Sequence, residues 1–157
     1  FIKSSWYTQY EVSAYARPGY ECRHNRNYWE FGDYLAIGAG AHGKITYPAH
    51  GTITRYHNHR QPADYMQQAM QGKSRSGEQT LTPADLSFEF MLNALRLREG
   101  FPLSLFTERT GLATDHLKAG LEQALQRGLL EFNGDHIRTT ATGWQFLNAV
   151  MQLFLED

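Results

Sequence analysis

The densest set of chemically useful side chains is the run Cys22-Arg23-His24-Asn25-Arg26-Asn27-Tyr28-Trp29. It follows the turn Arg17-Pro18-Gly19, so it is expected to be a loop, where chemistry tends to sit. His24 offers an imidazole to a transition metal or a haem iron, and Cys22 offers a soft thiolate to the same ion. Tyr28 and Trp29 can stack on a flat conjugated ligand, and Arg23 and Arg26 can pair with carboxylates such as haem propionates. The competing reading is a hydrogen-bonded loop that packs Tyr28 and Trp29 into the core.

A second feature is Gly38-Ala39-Gly40-Ala41-His42-Gly43. Glycines after a strand let a ligand approach the backbone, and free N–H groups there favour an anionic or polar ligand. Close strand packing makes the same demand. The run is no dinucleotide fingerprint, because the following helix and later acidic residue are missing. His57-x-His59 would place two imidazoles on one face of a strand, but no third ligand is evident. No nucleophile–base motif joins the Ser, His and Asp residues, so the chain does not read as a complete enzyme. With Cys22 as the sole cysteine, it can hold neither an internal disulfide nor, by itself, an all-cysteine metal or iron–sulfur site. One thiol also fits a reducing compartment.

The elements that must position these residues differ between the two halves. The chain has 157 residues, 41% hydrophobic and 20% charged, which fits a globular protein with a real core. No apolar run is long enough for a transmembrane helix or a signal peptide. Residues 1–79 carry nine Lys/Arg against six Asp/Glu, and residues 80–157 carry six against ten. The chain begins at Phe1 and runs at once into strand-like sequence, so it reads as a piece of something longer. The expected division is 1–72, a linker at 73–81 that overlaps the polar run "QGKSRSGEQT" at 71–80, and 82–157.

The second half reads as a winged helix. Thr82-Pro83-Ala84-Asp85 is a helix start, and Phe88, Met91, Leu92 and Leu95 form its apolar face up to Gly100. A short helix runs from Ser104 as cap to Thr110. A third starts at Thr114, carries Leu117, Leu121, Ala124 and Leu125, and stops at Gly128. "LLEFNGDHIRT" is a hairpin, with Asn133-Gly134 expected to take the positive φ angles of its turn. A last helix, 141–155, buries Leu147, Val150, Met151 and Phe154. In the first half, "WYTQYEVSAYA", "DYLAIGAGAHG" and "TITRYHN" read as strands and "PADYMQQAMQG" as a helix. Together these give an α+β protein whose first part is the tail of an α/β sheet. The order of helices and ribbon would suit duplex binding through the third helix. Its Asp115 and Glu122, and Glu131 and Asp135 on the wing, argue against it, because a binder must neutralise several phosphates. A winged-helix interaction or scaffolding module is the favoured structural alternative.

Several stretches together resemble the oxygen-independent coproporphyrinogen III oxidase-like radical SAM family: "YEVSAYARPGYECRHNRNYW", "GDYLAIGAGAHG", "RYHN…PADY" and "LNALRLREG". "HNRNYW" fits a His-Asn-x-x-Tyr-Trp motif associated with haem binding in the family's chaperone branch. The resemblance spans nearly the whole chain and is strongest over 10–43. It implies a parent with an N-terminal partial β/α barrel, whose three-cysteine motif holds a 4Fe-4S cluster and S-adenosylmethionine. That motif is absent here. The chain would then be terminal strands of the partial barrel followed by the winged-helix-like domain.

By the same resemblance His24, Asn25, Tyr28 and Trp29 become haem-motif residues, with Arg23 and Arg26 beside the propionates. His24 would ligate the iron, with Cys22 the alternative ligand, and Gly38, Ala39 and Gly40 would line the S-adenosylmethionine pocket. Two positions depart from the family pattern: Gly43 stands where Ser is usual, and His57 where Trp is usual. Two functions follow from the resemblance, a haem chaperone and a coproporphyrinogen oxidase, and the motif favours the chaperone. Its expected partners are haem-accepting proteins, including membrane-associated ones, the upstream barrel, and a second copy of the chain through open strand edges. Nucleic acid is not expected. The expected location is the cytoplasm, including the inner face of the membrane.

Overall fold

A computed structural model describes residues 6–155 of the chain. It divides into two compact units, one made of residues up to 32 together with 83 onward, the other of Asp33–Thr82.

The first unit opens with a two-stranded antiparallel hairpin, β1 (Thr8–Glu11) and β2 (Ala14–Ala16). "WYTQYEVSAYA" is therefore two short strands rather than one. The bend between them is closed by Glu11, whose carboxylate accepts hydrogen bonds from the Ser13 N–H at 2.9 Å and the Ser13 hydroxyl at 2.8 Å. Helix α1 (Arg23–Trp29) follows, where a loop was expected.

The rest of this unit is α3 (Pro83–Ala94), β6 (Phe101–Pro102), α4 (Leu103–Thr110), a 3-10 turn (Thr114–Leu117) leading into α5 (Lys118–Gln126), β7 (Leu130–Asn133), β8 (His136–Thr139), α6 (Ala141–Gln145) and α7 (Leu147–Gln152). This is the expected winged-helix order, with a third strand: β6 pairs with β8 to give the sheet order β6-β8-β7. Gly100 makes that pairing possible. Its φ is +78°, and a Cβ there would collide with the Ile137 carbonyl oxygen. The core centres on Phe90, whose ring meets Phe31, Phe101 and Phe106 edge-on at 5.1 to 5.8 Å. All four rings are buried, each contributing about 1.5–3 kcal/mol from burial alone.

Details of phase differ from the sequence pattern. In α3 the buried residues are Leu86, Ser87, Phe90, Met91 and Ala94, so Leu92 is exposed and Phe88 only half-buried. The residue capping α4 is Pro102, not Ser104. The wing turn falls at Gly134-Asp135, between paired Asn133 and His136, and Gly134 alone in it has a positive φ. A glycine in the first position of a two-residue loop is the type II′ pattern. The last helix breaks at Phe146, between α6 and α7, while Leu147, Val150, Met151 and Phe154 are buried as expected.

The second unit is an open antiparallel sheet of order β3-β4-β5, from β3 (His42–Tyr47), β4 (Thr52–Asn58) and β5 (Arg75–Thr80), with α2 (Pro62–Ala69) between the last two strands. "TITRYHN" is β4 and "PADY…" opens α2, as read. The residues assigned to a linker contain β5, and the segment before β3 lacks the expected strand. There only Tyr34 makes a single-residue bridge to Lys44, and Leu35 and Ile37 stand 70% and 85% exposed. Every strand pair among the described residues is antiparallel. Lys44 is 1% exposed and ion-paired to Asp33 at 3.1 Å, which lets a charge sit inside the sheet.

Candidate functional site

Helix α1 has little intrinsic reason to form. Its seven residues include two Asn, a His and two aromatics, all modest helix formers, and Cys22 at its N-cap makes no side-chain cap bond. Its neighbours hold it. Asn25 donates to the Tyr10 hydroxyl oxygen at 3.3 Å. One turn on, the Trp29 ring lies under the Arg96 guanidinium at 4.2 Å. Arg96 in turn donates to Glu11 at 3.2 Å, and that carboxylate is 1% exposed. Backbone bonds tie the same elements together, because the Arg98 N–H donates to the Tyr10 carbonyl at 2.9 Å. At the end of α1, Asn27 fills the space a Cβ at Gly32 would need.

The helix therefore has two unlike sides. Asn25 and Trp29, at i and i+4, face the hairpin and the end of α3. Cys22, Arg23 and His24 are exposed. His24 touches Tyr28 edge-on, with ring centroids 4.9 Å apart, which fixes the imidazole against the half-buried tyrosine. Arg26 is engaged by Glu30 at 2.9 Å. Of the residues expected to meet a porphyrin, His24, Cys22 and Arg23 are open to solvent, while Trp29 has one face covered by Arg96. Its indole Nε1 is buried without a hydrogen-bond partner. Glu11, Tyr10 and Arg96 were not foreseen as supports of the motif. The ion pair links positions 85 apart in sequence, beyond the reach of any local pattern.

In the second unit, Gly38 and Gly40 take positive φ angles of 102° and 67°, as the glycine-rich turn requires. Their amides are not free for a ligand. The Gly38 N–H donates to the Tyr65 hydroxyl at 3.2 Å, and the Gly40 N–H to the His59 carbonyl at 2.8 Å. Asn58, buried in β4, donates to the Ala36 and Gly38 carbonyls and so fixes the turn from beneath. Ala39 is exposed at its tip. Gly43 is opposite Tyr56, whose ring occupies the place of the missing Cβ and whose hydroxyl accepts from the Ala36 N–H at 3.0 Å. The alternation of "TITRYHN" places Tyr56 and Asn58 on one face, the signal that points to them. His59 lies beyond β4, so the expected His57/His59 pair does not form in the strand; the sheet pairs His57 with His42 instead.

Residues 81–146 match the family model described as HemN C-terminal domain. The chain is 42% identical over 156 residues to the heme chaperone HemW of Escherichia coli (strain K12), covering 99% of the chain and 40% of the relative. It is 42% identical over 151 residues to the heme chaperone HemW of Haemophilus influenzae, covering 96% of the chain and 38% of the relative. It is also similar in fold to the solved structure of coproporphyrinogen III oxidase (HemN) from Escherichia coli, described as a radical SAM enzyme. There the TM-score is 0.65 at 19% identity, over 98% of the chain and 38% of that structure. The chain thus spans about 40% of the length of the relatives it matches. No helix among the described residues is long and apolar enough to cross a membrane.

Proposed function

We propose that the chain is the C-terminal part of a heme chaperone of the HemN-like radical SAM family, which binds haem and hands it to acceptor haemoproteins. Its likeness to the HemW heme chaperones along nearly its whole length and the match of residues 81–146 to the HemN C-terminal domain support this reading. The observation that carries the reading is the exposure of His24 and Cys22 at the start of a helix whose other side is anchored. Haem iron takes a neutral imidazole or a thiolate as axial ligand. A ligand on open surface suits a cargo that must leave again. His24 holds the iron, Cys22 is the competing ligand, and Arg23 meets a propionate. Tyr28 orients the imidazole and offers the ring nearest to it. Asn25 and Trp29 act from behind, and Arg26 reaches a propionate only by leaving Glu30.

Gly38, Ala39 and Gly40 contribute a backbone edge to an S-adenosylmethionine pocket completed by the parent's barrel, with Ala39 at the exposed tip. A 4Fe-4S cluster does not fit this chain, whose one cysteine cannot supply the thiolates, so the cluster belongs to the remaining length of the protein. The partners are haem-accepting proteins, including membrane-associated ones, met in the cytoplasm or at the inner face of the membrane, and a second copy of the chain along open strand edges. Nucleic acid is not proposed as a partner; on the wing, Arg138 is paired with Glu131 at 2.8 Å. Likeness to the oxidase at 19% identity carries the fold alone, so decarboxylation of coproporphyrinogen is not proposed.

Haem titration of the full chain, followed at the Soret band, tests the reading. His24→Ala is expected to abolish or shift the band and Cys22→Ser to leave it in place. Loss with Cys22→Ser and none with His24→Ala reassigns the ligand. If neither substitution has an effect, the helix is structural and the proposal fails.

A further inference from the structure

We propose that His42 and His57 form a two-imidazole binding site for a divalent transition-metal ion on the β3-β4-β5 sheet. The two residues are directly paired across antiparallel strands, with ring centroids 5.5 Å apart and planes 28° from parallel. Their pairing is of the closer kind. The Lys44 amide and carbonyl are both spent on Tyr34, so the Lys44–Arg55 pair is not hydrogen-bonded across β3 and β4. Two residues along, His42–His57 has the same character. Such pairs hold side chains nearest to one another.

The spacing matches a shared ion. A metal–imidazole bond of about 2.0–2.1 Å puts the metal about 3.2 Å from each ring centroid. Two rings at a tetrahedral angle are then about 5.2 Å apart, and at a right angle about 4.5 Å. The observed 5.5 Å is within about 0.3 Å of the tetrahedral value, and the rings, 28° from parallel, must rotate to turn their nitrogens toward one ion. His57 is also seated: its Cε1 occupies the space a Cβ at Gly77 would take, so the glycine in β5 makes room for this ring.

Both imidazoles line a cavity of about 360 Å³ with Arg55, Gly77, Glu78 and Gln79. Glu78, the carboxylate in that lining, is held by Arg75 at 2.7 Å. No group of three or more His, Cys, Asp or Glu that could hold a metal occurs among the described residues. The protein thus supplies two nitrogen ligands and leaves the other positions to water or a small anion. Paired imidazoles without carboxylate or carbonyl ligands select Zn²⁺, Ni²⁺ or Cu²⁺ over Mg²⁺ or Ca²⁺, and Cu²⁺ binds tightest by the Irving–Williams order.

The probe is Cu²⁺ itself, titrated into the full chain carrying Cys22→Ser so that the exposed thiol does not compete. Calorimetry gives the affinity, and electron paramagnetic resonance counts the ligating nitrogens. One ion per chain with two imidazole nitrogens is expected. His42→Ala or His57→Ala should leave one nitrogen and weaken binding by at least about tenfold, the loss of chelation. His59→Ala should bind as the parent does. Gly77→Ala should weaken binding while removing no ligand, because the new methyl displaces the His57 ring. His42 is exposed, so its replacement spares the sheet and remains decisive if His57→Ala disturbs folding, as judged by circular dichroism. A two-nitrogen signal at parental affinity in His42→Ala, or its loss in His59→Ala, would overturn the assignment.

Discussion

Replacing Arg96 by methionine should destabilise the first unit through a residue that no local pattern marks. Glu11 is 1% exposed and Arg96 26%, with 3.2 Å between the guanidinium and the carboxylate. Removing one partner of a buried ion pair costs about 3–5 kcal/mol, because the remaining charge stays out of water. Here the low end applies, since the Ser13 N–H and hydroxyl still donate to the same carboxylate. Loss of the cation–π contact with Trp29 adds about 0.5–1 kcal/mol, so the sum is about 3–4 kcal/mol. At about 3 °C per kcal/mol for a chain of this size, Tm should fall by about 9–12 °C. Urea denaturation at neutral pH is the assay. The double variant Glu11→Gln/Arg96→Met leaves no buried charge and should recover at least about half of the loss. The reasoning fails if Arg96→Met is within about 0.5 kcal/mol of the parent, a surface-sized effect. It fails equally if the double variant is no more stable than Arg96→Met alone.

The second unit should respond to acid through Asp33. Partial burial pushes its carboxyl up, but the Thr46 N–H and hydroxyl and the Lys44 ammonium outweigh this and hold it below the usual range. Its contribution is therefore complete above the ordinary carboxyl value of about 3.9 and lost as pH falls through the lower folded value; Asp33→Asn should cost about 1–3 kcal/mol at pH 7 and flatten that acid dependence in urea melts. Gly43→Ser should cost about 1–3 kcal/mol in the same assay, because its side chain must displace the Tyr56 ring and with it the bond to the Ala36 N–H. An unchanged midpoint with the serine variant would show that Tyr56 moves freely.

The two units differ in how much of them the sequence reveals. In the winged helix, local and global signals agree: Pro83 begins a helix, Gly111 and Gly128 end two, and Leu117, Leu121 and Ala124 fall on one buried face. Its misread details, the phase of α3 and the one-residue shift of the wing turn, are set by packing against Phe101 and by strand register. Helix α1 was misread as a loop because its stability comes from Tyr10 and Arg96. Strand β5 was misread as a linker for the opposite reason. "RSGEQT" is an outer strand largely exposed on both faces, so no apolar alternation is needed and only its backbone pairing with β4 defines it. The His42–His57 pair belongs with these cases, since two histidines 15 positions apart meet only through the register of β3 on β4.

The anchoring of α1 also explains why its sequence mixes residue types. A helix of seven residues without a cap bond is marginal alone. Presenting an exposed imidazole in a fixed place then requires that other residues supply the order. Asn25 and Trp29 do so from one side, and each uses its polar or aromatic surface on the protein rather than on solvent. His24 stays exposed, with its ring against the Tyr28 edge. In the proposed role as haem ligand, a side chain held by its backbone and one ring contact would lose little entropy on binding, yet not be walled in. Fast release needs the second property as much as affinity needs the first. For that proposed role, burying His24 would trap the haem, and an unanchored helix would bind it weakly. A rigid backbone with an open side chain is the arrangement that meets both demands.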